Sequence, residues 1–175
     1  MKLSTDRLVM RPMEATDFKD IHELHSFSQV AQFNTIGIPE DISVTTKFLD
    51  EVLRDPTKLA WSIRIKETDA FVGEIGMNLS SVKYGKGEIH YSLHPDQWGS
   101  GYATEAVSAV ISFGFSELRL HRIAAGVAIE NSRSVALLER VGMQREGLCR
   151  KILPLQSGWM DNYMYAILED DPREF

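Results

Sequence analysis

The chain is poor in cysteine, in long apolar runs and in positive charge. Of 175 residues one is cysteine, Cys149, which excludes an internal disulfide framework and any cysteine-cluster metal site and fits the inside of a cell. No stretch approaches the roughly 20 apolar residues of a bilayer span. The opening Met1-Lys2-Leu3-Ser4 leads into a charged segment without the apolar core of a secretory signal, so the expected setting is cytoplasmic, with no membrane partner. Lys and Arg number 19 against 25 Asp and Glu, a net charge of −6, which argues against free nucleic acid and leans toward cationic partners such as amines. His22 and His25 stand three apart on an expected helix, but no carboxylate and third ligand complete a set at recognisable spacing. No metal is expected, and both histidines are read as solvated helix surface.

What is present suffices for one core. With 43% hydrophobic residues the chain is long enough to bury a core and too short for two ordinary domains, so residues 1–175 are read as one domain. Arg7 to Arg11 alternates as a short strand closed by Pro12. Asp17 to Phe27 spaces Phe18, Ile21, Leu24 and Phe27 along one helical face, and Ser43 to Leu53 follows with Val44, Phe48, Leu49 and Val52. These two helices are expected on the substrate side. Trp61 to Ile65 and Phe71 to Leu79 read as strands about a turn at Glu67-Thr68-Asp69. The turn Tyr84-Gly85-Lys86-Gly87 leads to a strand in which Ile89, Tyr91 and Leu93 alternate with Glu88, His90 and Ser92, until His94-Pro95 ends it. His121 to Val127 is a further strand, a helix opens with Asn131 or Ser132 as N-cap and closes at Gly142, and two strands near Arg145 to Leu153 and Tyr163 to Glu169 remain. The fold class is mixed α/β, α+β-like.

Between the strand ending at Leu93 and a helical run carrying Ala103, Ala106, Val107, Val110, Ile111 and Phe115 lies Trp98-Gly99-Ser100-Gly101-Tyr102-Ala103-Thr104-Glu105-Ala106. Gly99 and Gly101 remove two Cβ atoms, so an anion can approach the backbone while the unpaired N–H groups of the first helical turn point at it. Helix dipole and amides then act together on a phosphate. A dinucleotide fingerprint needs a third glycine where Thr104 stands, and a P-loop needs a Gly-Lys-Ser/Thr ending that is missing; both are rejected. Glu105 faces the dipole from the first turn and is read as structural.

Four blocks in order, Thr5 to Phe18, His90 to Ala106, Glu130 to Gly147 and Gly158 to Leu168, resemble the GNAT superfamily of acyl-CoA-dependent N-acetyltransferases, and more narrowly its RimJ/RimL type. The resemblance implies a GNAT-type fold: a central, mostly antiparallel twisted sheet with one splayed strand pair and flanking helices. It implies acetyl-CoA as cosubstrate, held by Leu93, Trp98, Gly99, Ser100, Gly101, Tyr102, Ala103 and Thr104, with Asn131 on the pantetheine amides and Ser134 near the sulfur. Trp98 replaces the Gln or Arg that usually begins the loop, where backbone amides make most of the contacts. N-capping is the competing account of Asn131, and the two roles can coexist.

With no activated cysteine and no Ser-His-Asp arrangement, direct transfer through a ternary complex is expected, and Cys149 is read as a structural thiol. An oxyanion would find a backbone N–H at Leu93 if that strand splays from the one ending at Val127. Many relatives place a proton-donating tyrosine seven residues after the asparagine; Leu138 stands there, so Ser134 or an ordered water must serve as acid. Glu88 is the first candidate base, with His90 and Glu74 beside it, each competing with a plain solvated strand residue. Trp159 and Asp161 belong to the substrate groove or to a packed turn. The expected acceptor is a protein or peptide N-terminal α-amine. The alternatives are a small amine (polyamine, amino sugar or antibiotic) and an acyl-CoA-binding module without turnover. A homodimer is an open option.

Overall fold

The computed structural model describes all residues except Ser81 and Glu174. In chain order its elements are β1 (Leu3–Ser4), β2 (Leu8–Pro12), α1 (Phe18–Ser26), α2 (Ser28–Ala31), α3 (Ile42–Arg54), β3 (Lys58–Ile65), β4 (Phe71–Leu79), β5 (Lys86–Leu93), α4 (Tyr102–Ser116), β6 (Arg122–Ala128), α5 (Ser132–Arg140), β7 (Gln144–Leu155) and β8 (Gly158–Leu168). The strands form one sheet in the order β1-β2-β3-β4-β5-β6-β8-β7. Every neighbouring pair is antiparallel except β5 and β6, which run parallel. This is the mixed α/β architecture with flanking helices expected from the blocks.

The β5–β6 pair fixes the site. Its ladder holds only Lys86 to Arg122, Gly87 to Ile123 and Glu88 to Ala124. Beyond Glu88, β5 continues to Leu93 and β6 beyond Ala124 to Ala128 without pairing to each other. The sheet is therefore split in its middle, with the apex at Glu88 and Ala124.

The two faces are covered by different helices, as the alternation along β5 requires. Ile89, Ile75, Met77 and Ile63 are buried with Val107, Val110 and Ile111 of α4, and Trp61 packs edge-on to Phe113 at 5.7 Å. Ile21 of α1 and Leu49 and Val52 of α3 form a second cluster with Met13 and Ala60 on the opposite face. The capping follows the sequence: Asp41 Oδ1 accepts from Ser43 N–H at 2.7 Å at the start of α3, and Gly142 after α5 takes φ +79°.

Boundaries differ where exposure erases the period. β3 starts at Lys58 rather than Trp61, and β7 and β8 form a longer hairpin than expected. Its outer half is largely exposed, Leu148, Ile152 and Trp159 included, so no apolar alternation marks it. Trp159 and Asp161 lie in β8 rather than in a turn, and Asp161 Oδ1 accepts from Lys151 N–H at 2.9 Å. Lys86 and Gly87, assigned to a turn, already belong to β5. No helix among the described residues is long and apolar enough to cross a membrane.

Candidate functional site

At the open end of the split, Gly99 and Gly101 take φ +77° and +80°, a left-handed conformation that favours glycine. Nothing lies within 4 Å of where a Cβ on Gly99 would stand. Gly101 caps α4 without a side-chain hydrogen bond, and from Gly99 to Thr104 no backbone N–H meets an acceptor among the described residues. Six consecutive open amides at the positive end of a fifteen-residue helix make a cradle for an anion. The expected loop residues are thus brought together: Trp98 donates its indole N–H to Leu93 O at 2.9 Å, which ties the loop to the end of β5.

Cations border this cradle. The Arg133 guanidinium lies 4.5 Å from the centroid of a Trp98 ring, and Arg140 Nη1 stands 3.5 Å from Thr104 Oγ1. A shallow hollow of about 540 Å³ runs beside α4 between Gly101, Thr104, Ser108 and Arg140. On the other flank, Arg7 Nη1 donates to Ser100 O at 2.9 Å, and Arg7 Nε donates to Glu105 Oε2 at 2.7 Å. Thr5 donates to the other carboxylate oxygen. Glu105 is structural, as expected, but through the residues before β2 and not only through the helix dipole. Sequence reading placed Thr5 only within a block and Arg7 at the start of a strand; their contacts to residues about a hundred positions away carry no local sequence signal.

Burial raises the Glu105 pKa, and hydrogen bonds from Thr5 and Arg7 outweigh it, leaving the carboxyl below 4.5. A depressed carboxyl stabilises the fold above its unfolded pKa, and that contribution disappears as pH falls through the folded one. Glu105→Gln is therefore expected to destabilise the protein at neutral pH, with the gap to the parent closing below pH 4.5. Thermal melts from pH 7 to pH 3 check this.

The face of the split opposite α4 carries the base candidates. Glu88 is exposed at the apex with no hydrogen-bond partner among the described residues. Two residues on, His90 lies across Gly76 so closely that a Cβ there would stand 2.3 Å from Nε2. His90 is exposed to water on its outer side, while its ring lies against the Gly76 backbone. That crowding lowers its pKa below 6.5 against the opposing pull of Glu74 and Glu88, so the imidazole is neutral at pH 7.

Glu74 and His25 require correction. His25 had been read as solvated and Glu74 as a candidate base or a solvated strand residue, but Glu74 and His25 are 6% and 0% exposed and bonded to each other, Nε2 to Oε1 at 2.7 Å. His22 likewise bonds Thr45 Oγ1 at 2.7 Å. The reason is tertiary: α1 and α3 pack on this face, and Phe48 meets the His25 ring edge-on at 5.2 Å. Glu74 is a buried anchor for α1 more than a free base.

On the α4 face, Asn131 caps α5 through Oδ1, which accepts from Ser134 N–H at 3.2 Å, while its side-chain NH₂ has no partner among the described residues. Capping and ligand binding are compatible. Leu138 is 1% exposed and packs in the core. Ser134 Oγ meets Tyr91 Oη at 2.6 Å, a residue of β5 that sequence reading had placed only as an apolar strand position.

Residues 7–144 match the family described as Acetyltransferase (GNAT) domain. The chain belongs to the GNAT acetyltransferase family. This GNAT enzyme is 34% identical over 170 residues to an uncharacterized N-acetyltransferase, p20, of Bacillus licheniformis, covering 95% of this chain and 96% of that one. Its fold is similar to the crystal structure of a GNAT acetyltransferase from Bacillus anthracis, with TM-score 0.86, 31% identity and coverage of 98% and 100%. The spermidine N-acetyltransferase of Vibrio cholerae, solved with CoA and spermine, shares the fold at TM-score 0.86 and 20% identity, over 95% of this chain and 98% of that one. GNAT acetyltransferases move an acyl group to an amine, and the split sheet with its amide cradle is the part of the fold that suits such a donor.

Proposed function

We propose that the protein transfers acetyl from acetyl-CoA directly to the N-terminal α-amine of a peptide or protein, in the cytoplasm and without a metal. The observation that carries the reading is the β5–β6 split, which opens at one end on the six free amides of Gly99 to Thr104. In this reading the pyrophosphate lies on those amides beside Trp98, the pantetheine arm runs into the split past Asn131, and the thioester lies in the split near Tyr91 and Ser134. The N–H of Leu93 at the unpaired end of β5 serves the developing oxyanion. Glu88 at the apex takes the amine proton, directly or through water.

Two observations support a slender acceptor. The β7–β8 turn reaches over to the loop before α3, where Gln156 Nε2 donates to Ile38 O at 3.3 Å, so the acceptor face is bridged rather than open. The base candidate is solvated, which suits an amine already partly neutral: an α-amine of pKa ~8 is about a tenth neutral at pH 7, a lysine amine below roughly one part in a thousand. The chain is also 32% identical, over 47% of its length, to the [ribosomal protein uS5]-alanine N-acetyltransferase of Escherichia coli. The near full-length fold match to the spermidine enzyme favours polyamines as the second reading. Acetyl-CoA offered with a free peptide, the same peptide blocked at its N-terminus, and spermidine separates them, with mass spectrometry locating the acetyl group. Acetyl only on lysine, or on spermidine with none on the peptide, overturns the α-amine assignment. Absence of turnover with every amine leaves an acyl-CoA-binding module.

A further inference from the structure

Two hydroxyls face each other across the split. Tyr91 lies on β5 three residues beyond the last pair of the parallel ladder, and Ser134 lies in the first turn of α5, which follows β6. Their oxygens are 2.6 Å apart, and this is the only hydrogen bond of the Ser134 hydroxyl among the described residues. The backbone of Ser134 is fixed separately by the Asn131 cap. Either hydroxyl can donate in this pair; with the phenol, ordinarily the more acidic of the two, donating, Ser134 Oγ accepts. The serine's own proton is then left without a protein acceptor and free to point into the split.

We infer that Tyr91 is a positioning residue for acyl transfer, holding Ser134 so that the serine O–H donates to the sulfur of departing CoA. The inference rests on the donor placement proposed above. During the step the amine nitrogen forms the C–N bond, the C–S bond breaks with its electron pair going to sulfur, and the surplus amine proton goes to the base. Ser134 stabilises the thiolate through a hydrogen bond and keeps its proton, and the thiolate is later protonated by solvent. Burial pushes the Tyr91 phenol up to about 12 although the bond to Ser134 draws it down. A phenol that reluctant to ionise is a poor source of a proton for a thiolate and a durable hydrogen-bond donor. The arrangement supplies, from β5 and the first turn of α5, a polar contact at a position where Leu138 supplies none.

The test reads the bound thiol directly. CoA thiolate absorbs in the ultraviolet, so titrating the CoA complex with pH gives the pKa of the bound thiol. The wild type is expected to hold it below that of free CoA. Tyr91→Phe and Ser134→Ala are each expected to raise it, and the double variant no further than Ser134→Ala alone. With acetyl-CoA, each single variant is expected to lower kcat about tenfold with KM for acetyl-CoA unchanged, and Tyr91→Phe is expected to have no effect in the Ser134→Ala background. A bound thiol unmoved by Ser134→Ala, or a kcat loss from Tyr91→Phe that persists without Ser134, overturns the inference. So does a falling limb of wild-type kcat near pH 10 that Tyr91→Phe removes, since Tyr91 would then be giving up its own proton. Failure of the wild type to bind CoA overturns the parent reading instead, and this inference with it. If Tyr91→Phe does not fold, 3-fluorotyrosine at position 91, which keeps the ring and makes the phenol more acidic, is expected to shift the bound-thiol pKa in the parent and not in Ser134→Ala; no shift in the parent overturns the inference.

Discussion

Gly101→Val is expected to lower acetyl-CoA affinity by at least about a hundredfold while far-ultraviolet circular dichroism stays that of the parent. The effect comes from conformation more than from collision. A Cβ at Gly101 would meet only Arg7 Nη2, at 3.4 Å, but φ there is +80°, which a β-branched residue does not adopt without strain. Relieving the strain turns the peptide planes on either side of position 101 and re-aims amides on which the proposed phosphate contacts rest. A hydrogen bond to a charged group contributes on the order of 1.5–3 kcal/mol, so misdirecting two accounts for the expected loss. Calorimetry with CoA measures it. Unchanged affinity would show that the anion lies elsewhere.

The second large effect concerns the base. Removing a group that takes a proton in the transition state costs typically a factor of 10²–10⁴. Glu88→Gln is expected to lower kcat on a peptide amine by about a hundredfold and to remove the acid limb of the pH–rate profile. His90→Gln leaves that limb in place. His90 is the informative control because it is neutral at pH 7 and lies on the same strand face. If His90→Gln abolishes the limb and Glu88→Gln does not, the imidazole is the base. A profile that follows only the neutral fraction of the amine in both variants assigns deprotonation to solvent.

Much of this arrangement is legible from local pattern. The alternation from Glu88 to Leu93, the stop at Pro95 and the two glycines locate a strand, a loop and a helix start from neighbouring residues alone, and the structure places all three where the pattern does. The Asn131 cap is equally local. What escaped sequence reading is what depends on distant partners. His25 and Glu74 look solvated because each is polar; they are buried because α1 lies against β4, 49 residues away in sequence. Tyr91 passes as an apolar strand position because its hydroxyl partner is 43 residues on. The outer half of the β7–β8 hairpin shows no period because most of its residues are exposed on both faces, Leu155 excepted.

A sheet ordinarily has two edges, and this one has a third in its interior. Past Glu88 and Ala124, the facing backbones of β5 and β6 present peptide groups to each other without joining. Unjoined strands of this kind are an invitation to any extended segment bearing amides. A donor threaded there, as proposed above, would replace the missing rungs, and its binding energy would also hold the two halves of the sheet together. Occupancy at a hundred times Kd adds about 2.7 kcal/mol to the folding free energy. The melting temperature is then expected to report how much acyl donor surrounds the protein, and the backbone amides that face one another across the opening are expected to gain protection from exchange when donor is added.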